Sequence, residues 1–292
     1  MDESEIANIL VEHYQSLFTS SSPNLIEVAL EATNMAVTHE MNQELIAPFR
    51  RDEVDMALHQ MDPLKASGPD EMPPLFFQKF WPTIGDEVAK AVLFYLNTGS
   101  IPPSINRTFI TLIPKEKSPV RVSNYRPIAL CNILYKLISK VLANKLKKIL
   151  HYVISESQSA FQSSKAITDN ILVAFQTLHH MKAQKYKKIG FMAMKLDMSM
   201  AYDCVEWEYL ARIMEKMGFC EKWVALVLEC ISTVSYSILV NGEPKGDIKP
   251  SRGIRQGDPL SSYLFLLCSK GLNRMLQQAE ANDQIRGFSL CK

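Results

Sequence analysis

The sequence predicts a mixed α/β fold of the α+β kind, because helix-like and strand-like segments occur in one chain. Apolar residues recur at helical spacing in three segments, residues 6–18, 51–61 and 132–152. Strand-like patterns occur in three others, residues 108–113, 190–196 and 235–240. With 292 residues and 47% apolar content, the chain is long enough to bury a large core in one domain or two subdomains.

The charge of the chain is unevenly distributed, although its net value is only +1. Residues 1–100 contain 5 Lys and Arg against 16 Asp and Glu, whereas residues 101–190 contain 15 against 3. A folded region this basic is typical of proteins that bind the polyanionic backbone of nucleic acids. A solvated helix face that pairs with the acidic first third of the chain explains the composition equally well.

The cysteine and histidine residues indicate no disulfide framework and no zinc site. No Cys-x-x-Cys pair occurs, and the six histidines complete no zinc-ligand spacing. No apolar run reaches the length of a membrane span, and the first residues do not resemble a signal peptide. We therefore expect a soluble intracellular protein with reduced thiols, and we find no clear nuclear address.

The N-terminal third contains predicted helices but no catalytic pattern. Helices are expected at residues 6–18, 51–61, 72–81 and 88–96, with a Ser-rich break at residues 19–23 and a turn-rich loop at residues 62–70. Lys65 and Gly68 lie in the loop at residues 62–70, but no strand–loop–helix pattern of a phosphate-binding motif surrounds them. We expect this part of the chain to be structural.

Lys115 and Arg126 lie on either side of a predicted turn after the strand at residues 108–113. Arg126 precedes Pro127, which biases the backbone towards extended geometry. A lysine offers a point charge and an arginine offers a bidentate fork, so the two could hold a triphosphate. On spacing alone, two exposed basic residues on a hairpin are the simpler interpretation.

The helix predicted at residues 132–152 combines an apolar stripe with five lysines: Lys136, Lys140, Lys145, Lys147 and Lys148. We expect one face of this helix to pack and the other to be basic. A basic face would suit the backbone of a nucleic acid template, since such contacts contribute affinity without reading sequence. Solubility alone is the alternative explanation.

Asp197 follows the strand predicted at residues 190–196. A carboxylate held at the end of a half-buried strand can bind a divalent cation against phosphate oxygens, although Asp at such a position is also a common helix cap. We interpret Asp203 as the cap of a helix at residues 205–217 that Gly218 ends. Asp258 and Pro259 predict the start of another helix, which runs through Leu272.

Residues 235–242 predict a β-hairpin, because a strand-like run ends in the turn dipeptide Asn241-Gly242. Gln256 and Gly257 follow at the entrance of the helix that begins at Asp258. A residue without Cβ at this place allows the close approach of another group.

Four segments together resemble the reverse transcriptases of LINE-type (non-LTR) retrotransposons, most closely the plant branch. Lys195-Leu-Asp-Met-Ser-Met-Ala-Tyr-Asp-Cys-Val-Glu-Trp207 resembles the first catalytic palm motif, and Arg252-Gly-Ile-Arg-Gln-Gly-Asp-Pro-Leu-Ser261 resembles the next. Leu112-Ile-Pro-Lys115 and Asn124-Tyr-Arg-Pro-Ile-Ala-Leu-Cys131 look like fingers motifs. The motifs occur in the family's order, and the resemblance covers nearly the whole chain.

This resemblance implies a right-hand polymerase with a helical N-terminal extension at residues 1–50, fingers at 51–190, a partial palm at 191–292 and no thumb. It implies two-metal nucleotidyl transfer to a primer 3′-hydroxyl, with Mg²⁺ or Mn²⁺ as cofactor. The implied partners are an RNA template, a DNA primer and deoxynucleoside triphosphates, and the family context implies a nuclear location.

The resemblance also implies roles for individual residues. Asp197 would be the catalytic carboxylate and would bind metal together with the backbone carbonyl of Met198. The incoming nucleotide would contact five residues, Lys115, Arg126, Tyr202, Gln256 and Gly257. Tyr202 would lie under the sugar, although a role in core packing is the alternative. Lys165 stands where the family has the Arg of a Pro-Gly-Arg turn and would contact nucleic acid.

Two functions remain open, because the family's Asp-Asp turn, expected after residues 285–292, does not occur in the sequence. Met200, Cys204 and Ser262 also depart from the family pattern. One carboxylate cannot hold two metal ions, since each ion needs several oxygen ligands. By ancestry the chain is expected to be the front part of an RNA-directed DNA polymerase, and the isolated chain is expected to be inactive. The alternative is a truncated remnant that only binds nucleic acid. In both cases we expect the strand before Asp197 to be an exposed edge.

Overall fold

The computed structural model describes residues 2–24, 26–155, 158–160, 166–183 and 191–287, and it confirms the mixed α/β fold. The N-terminal helices are α1 (Glu3–Leu17), α2 (Ile26–Glu31), α3 (His39–Ile46), α4 (Arg51–His59), α5 (Pro74–Thr98) and α6 (Pro103–Asn106). They are followed by β1 (Arg107–Pro114), β2 (Tyr125–Cys131), α7 (Ile133–Val153) and α8 (Ile167–Ala183). The last elements are α9 (Trp207–Lys216), α10 (Glu221–Ser232), β3 (Ser235–Val240), β4 (Glu243–Ile248) and α11 (Ser261–Ala281). Lys165 lies outside the described residues.

One sheet joins the two halves of the chain. Its strand order is β2-β1-β3-β4, with β1 pairing antiparallel to β2 and parallel to β3. The predicted hairpin is confirmed: β3 and β4 are antiparallel, and Asn241 and Gly242 between them have φ of 52° and 87°. Two consecutive positive φ values are the geometry of a type I′ turn, for which Asn-Gly is the favoured dipeptide.

The N-terminal helices form part of the core. Tyr14, Phe18 and Leu45 are at most 3% exposed. Helix α1 packs against β3 and β4, and the ring of Phe18 lies 5.0 Å from that of Tyr236 on β3. Among the described helices, none combines the length and the apolar character needed to cross a membrane.

The prediction of two helices at residues 72–81 and 88–96 is wrong, because α5 is continuous through Pro82. Proline in a helix interior removes one backbone hydrogen bond and usually bends or ends the helix. Packing against α4 on the N-terminal side of the proline offsets this cost. Gln78 Nε2 donates to the carbonyls of Leu58 and Met61, and Trp81 Nε1 donates to Asp55. The helix ends before Gly99, whose φ is +74°.

The strand predicted at residues 190–196 is also wrong for the residues that the structure describes. Phe191 to Met198 belong to no helix or strand, and Met192 is 80% exposed. A strand forms only when its backbone pairs with a neighbour, and the four-stranded sheet does not include this segment. Its side chains therefore remain in solvent. The segment is exposed, as predicted, but it is not a strand.

Helix α7 is confirmed, but the prediction that all five of its lysines form a basic face is wrong for Lys136 and Lys145. Lys136 is 2% exposed and donates to the carbonyl of Ala66 at 2.7 Å. Lys145 is 5% exposed and donates to the carbonyl of Ala47 at 2.6 Å. Because N-terminal segments pack over this side of the helix, both ammonium groups are unavailable to a nucleic acid.

The remaining lysines of the helix stay accessible. Lys140 is half-buried, and Lys147 and Lys148 are exposed. Burial, together with the neighbouring ammonium groups of Lys147 and Lys65, lowers the pKa of Lys140. We call Lys65, Lys140, Lys147 and Lys148 the basic patch.

We predict that Lys145→Met lowers the free energy of unfolding by about 2–4 kcal/mol, because it leaves the Ala47 carbonyl and the Glu53 carboxylate without their buried cation. The matched change Lys148→Met, at an exposed site on the same helix, should alter stability by about 0.5 kcal/mol or less. Urea denaturation of the two variants measures both values. Equal losses of stability would contradict the structural role of Lys145.

Candidate active site

A cleft of about 640 Å³ contains the residues that the sequence singled out for metal and nucleotide binding. Three distant segments line it: the β1–β2 hairpin, residues 197–203, and the loop before α11. The predicted residues that line it are Lys115, Arg126, Asp197, Met198, Tyr202, Gln256 and Gly257. The fold therefore brings together the whole predicted metal and nucleotide set.

The two positively charged side chains of the cleft, those of Lys115 and Arg126, lie at the tip of the β1–β2 hairpin. Arg126 pairs with Ile113 across the hairpin, and the amide of Lys115 donates to the carbonyl of Asn124 at 2.8 Å. The Lys115 ammonium donates to the carbonyl of Ser123 at 2.9 Å. Both side chains are exposed and carry their positive charge at the edge of the cleft.

Tyr202 both packs and lines the cleft. Its ring stacks on that of Phe265 in α11, with centroids 5.0 Å apart and an interplanar angle of 15°. Stacking on a residue of the core fixes the orientation of the ring, while half-burial leaves part of it open to the cleft. Asp197, by contrast, is exposed and follows residues 191–196, which lie outside every helix and strand.

Asp203 is a second carboxylate of the cleft, and our interpretation of it as a helix cap is wrong. Helix α9 begins at Trp207 with Glu206 as its N-cap residue, and Asp203 is only 3% exposed. Its Oδ2 accepts a hydrogen bond from Gln256 Nε2 at 3.3 Å. Burial raises the pKa of Asp203 to about 7, although the Gln256 hydrogen bond and the Lys115 charge oppose that shift. The only sequence signal that Asp203 would line the cleft was its place in the same motif as Asp197 and Tyr202.

Gly257 is required by the backbone of the loop before α11. Its φ is +110°, and a Cβ at this position would lie 3.2 Å from the carbonyl oxygen of Ala129 on β2. The preceding carbonyl of Gln256 accepts a hydrogen bond from the Ala129 amide at 2.9 Å. The loop is therefore bound directly to β2 of the β1–β2 hairpin.

Asp258 and Arg255 anchor this loop, and the prediction that Asp258 is the N-cap residue of the helix is wrong, because Leu260 takes that position. Helix α11 begins at Ser261, two residues after Pro259, the predicted first helical position. Asp258 Oδ1 accepts from the Leu260 amide at 3.2 Å, while Oδ2 accepts from the Tyr135 hydroxyl at 2.9 Å and lies 3.6 Å from Arg255. The carboxylate of Asp258 therefore holds the loop to α7 and to Arg255 instead of capping α11.

The oxygen donors of the cleft fit one divalent cation better than two. The Asp197 carboxylate and the Met198 carbonyl are hard oxygen ligands, which Mg²⁺ prefers, and Mg²⁺ completes its shell with water and substrate phosphates. Among the residues that the structure describes, no cluster of three or more His, Cys, Asp or Glu side chains could hold a metal ion. The described part of the cleft thus supplies part of a two-metal ligand set.

We predict that Asp203→Asn stabilises the protein and that the gain depends on pH. Because the folded pKa of Asp203 is above its ordinary value of 3.8, ionisation is harder in the folded state, and folding becomes less favourable as the pH rises from about 4 to about 7. The neutral Asn should raise the free energy of unfolding by about 2–4 kcal/mol near pH 8 and by less near pH 5.

Urea denaturation at the two pH values measures this difference, with Asp247→Asn on the exposed surface as the control. A gain that is the same at both pH values would exclude titration of Asp203 as its cause.

Comparison with known proteins agrees with this site. Residues 113–288, which include every predicted residue of the cleft, match the family described as reverse transcriptase (RNA-dependent DNA polymerase). The chain is 28% identical over 256 residues to the "Transposon TX1 uncharacterized 149 kDa protein" of Xenopus laevis, covering 87% of this chain and 19% of that protein.

Two other relatives differ in how much of the chain they cover. The Retrovirus-related Pol polyprotein from type-2 retrotransposable element R2DM of Drosophila melanogaster is 24% identical over 268 residues, which cover 92% of this chain and 24% of that protein. An uncharacterized mitochondrial protein of Arabidopsis thaliana is 47% identical over 50 residues, or 17% of this chain and 41% of its own length.

The chain spans about a fifth to a quarter of the two long relatives from transposable elements. The family match covers more than half of this chain and contains the cleft residues of both palm-like motifs and both fingers-like motifs. The chain therefore belongs to the reverse transcriptase family, with relatives among the non-LTR retrotransposons.

Proposed function

We propose that this chain is the fingers and palm part of an RNA-directed DNA polymerase that extends a DNA primer on an RNA template. The observation that carries the proposal is the convergence of three segments, up to about 140 residues apart in sequence, on one cleft. That cleft combines an exposed carboxylate, an aromatic ring, an amide side chain and two cations. These groups match the charge and shape of a deoxynucleoside triphosphate.

Each group has a separate task in this proposal. Lys115 and Arg126 bind the triphosphate, since both present exposed positive charge at the hairpin tip. The ring of Tyr202 supports the sugar and disfavours a 2′-hydroxyl. Gln256 and Gly257 lie against the nascent base pair, and the hydrogen bond to Asp203 orients the Gln256 amide.

Asp197 and the Met198 carbonyl are the residues that would hold Mg²⁺, or Mn²⁺, in the cleft. When bound, such an ion stabilises the negative charge of the reacting phosphoryl group and the leaving pyrophosphate. The task of Asp197 is to hold the cation in the same cleft as Lys115 and Arg126.

The basic patch is the proposed contact for the template backbone. Lys147 and Lys148 are exposed, and the lowered pKa of Lys140 reflects burial and then two like charges beside it. Closely spaced ammonium groups with accessible neighbours attract phosphates without reading sequence. Lys65 joins this set, although the sequence alone assigned it no role.

A binding protein without polymerase activity is the second candidate. The observation that favours it is the composition of the cleft, whose described lining contains only Asp197 and Asp203 as carboxylates. Asp203 is buried with a raised pKa and already accepts a hydrogen bond, so it is a poor metal ligand. Binding through the basic patch would not need a complete metal site.

We also propose the plant branch of LINE-type elements as the origin of this domain. The motif at residues 195–207 supports it, and so does the 47% identity over 50 residues with the Arabidopsis thaliana protein.

The proposed polymerase function requires that the purified chain extends a DNA primer on an RNA template with Mg²⁺, and that Asp197→Asn lowers the rate by at least about 100-fold through loss of the metal-binding charge. The matched control is Asp247→Asn, which changes an exposed aspartate outside the cleft and should leave the rate unaltered. Equal activity of the two variants would contradict the role of Asp197. No extension by the unaltered chain, with RNA binding retained, would favour the binding protein.

We predict that Lys147→Ala combined with Lys148→Ala weakens RNA binding at every sequence and reduces its salt dependence. Loss of two phosphate contacts to a single strand should lower the slope of log K against log [salt] by about 1.4. Fluorescence anisotropy at several salt concentrations measures the slope. Lys79→Ala combined with Lys216→Ala is the control, since both lysines are exposed and outside the basic patch. An equal change in both double variants would remove the basic patch from the proposal.

A further inference from the structure

The N-terminal segment after α1 is bound to the loop that leads to Gln256. The carbonyl of Phe18 accepts from the amides of Ser251 and Arg252 at 2.8 and 3.1 Å. The carbonyl of Leu17 accepts from Arg252 Nε at 2.9 Å, and the amide of Ser20 donates to Ser251 Oγ at 2.7 Å. We call residues 17–21 the strap; they lie outside residues 113–288, which match the reverse transcriptase family.

Glu206 connects the strap to both motifs of the cleft. Its Oε2 accepts from the Ser20 hydroxyl at 2.6 Å, and its Oε1 accepts from the Ser21 hydroxyl at 2.9 Å and the Ser21 amide at 3.1 Å. The same Oε1 lies 3.2 Å from Arg252 Nη1, and the two side chains are only 12% and 16% exposed. Burial raises the pKa of Glu206, but these hydrogen bonds outweigh it and hold the pKa below its ordinary value. The network thus holds the ionised carboxylate.

The two chain segments that carry this ion pair lead directly into the cleft. Glu206 and Arg252 form an antiparallel bridge, and the amides of Gly253 and Ile254 donate to the carbonyls of Val205 and Tyr202 at 2.7 and 2.9 Å. We call this pairing the ladder. One side of the ladder carries Tyr202 and Asp203, and the other side leads within two residues to Gln256.

The ladder is tightly packed at Gly253, where there is no space for a Cβ atom. Gly253 has a φ of +97°, and a Cβ there would lie 2.9 Å from the Asp203 carbonyl and 3.4 Å from the ring of Phe18. Tyr14 of α1 is fully buried, and its ring stacks on that of Phe18 with centroids 5.9 Å apart. A displacement of the strap is therefore transmitted to the backbone that carries Tyr202 and Gln256.

We propose that the strap is a positioning element of the cleft: Ser20, Ser21 and Glu206 hold the ladder at the separation that lets Tyr202 and Gln256 bind a nucleotide together. None of the three needs to touch the substrate. Their effect passes through Arg252 and the two ladder hydrogen bonds. This inference rests on the proposed function, since it assigns a nucleotide to the cleft.

The experiment compares Ser21→Ala and Glu206→Gln with two matched controls in the full chain. Ser22→Ala changes an exposed neighbour of the strap, and Glu208→Gln changes a 71%-exposed carboxylate two residues from Glu206. Hydrogen exchange measured by NMR gives the exchange rates of the Gly253 and Ile254 amides, which make the two ladder hydrogen bonds. Equilibrium titration of a deoxynucleoside triphosphate with Mg²⁺ gives its Kd, and primer extension gives KM and kcat.

Ser21→Ala and Glu206→Gln should speed exchange of the Gly253 and Ile254 amides by about tenfold and raise Kd and KM by about fivefold to tenfold, with kcat nearly unchanged. The controls should leave all four quantities unaltered. Unchanged exchange in both strap variants would overturn the proposal. Faster exchange with unaltered Kd and KM would also overturn it, because the strap would then only stabilise the fold.

The failure of the proposed function would be visible separately. An unaltered chain that binds the nucleotide but extends no primer would contradict polymerase activity, while Kd and hydrogen exchange still test the strap. An unaltered chain that binds no nucleotide would overturn both.

Discussion

The buried guanidinium of Arg255 is the interaction on which the relative position of the two halves of the sheet depends. It donates to the carbonyl of Cys230 at 2.7 Å and to the side chain of Asn106, and it lies 3.8 Å from the centre of the Tyr135 ring. Cys230 lies near the end of α10, Asn106 lies immediately before β1, and Tyr135 lies in α7. A buried charge must keep its partners, because leaving it unpaired costs several kcal/mol. The requirement holds β1 beside β3 in parallel pairing.

The same residue connects the core to the cleft through its position in the chain. Gln256 and Gly257 follow Arg255 directly, so the loop that carries them starts from a fixed point. On its other side the loop is bound to β2 through the Ala129 amide. Tyr202 is fixed against Phe265, and Asp203 is fixed against Gln256. Most of the surface that we propose for nucleotide binding thus lies on well-supported backbone, as precise binding requires.

Asp197 lies on the least supported part of the cleft. The segment before it is exposed and is not part of the four-stranded sheet, with Met194 69% and Leu196 61% exposed. Several side chains of α8 are also apolar and exposed, among them Phe175 at 67%. The contrast separates two parts of the site: nucleotide positioning depends on buried contacts, whereas the proposed metal ligand depends on a segment whose backbone has no sheet partner in the described chain.

The sequence by itself determined most of the local elements and most of the residues that line the cleft. Helical periodicity is enough to predict α1, α4 and α7, and Asn241-Gly242 is enough to predict the β3–β4 turn, because these signals act between neighbouring residues. The motif resemblance was enough to group Lys115, Asp197 and Gln256 before any contact was known.

Only the tertiary structure decided which polar groups are buried. Lys145 of α7 is buried because its acceptors are the carbonyls of Leu45 and Ala47, about 100 residues earlier in the chain. Asp203 is a buried acceptor for Gln256 because the ladder brings together segments about 50 residues apart. Residues 191–196 have the alternation of a strand but no partner in the sheet. Burial and strand pairing depend on distant segments, and local spacing carries no information about those contacts.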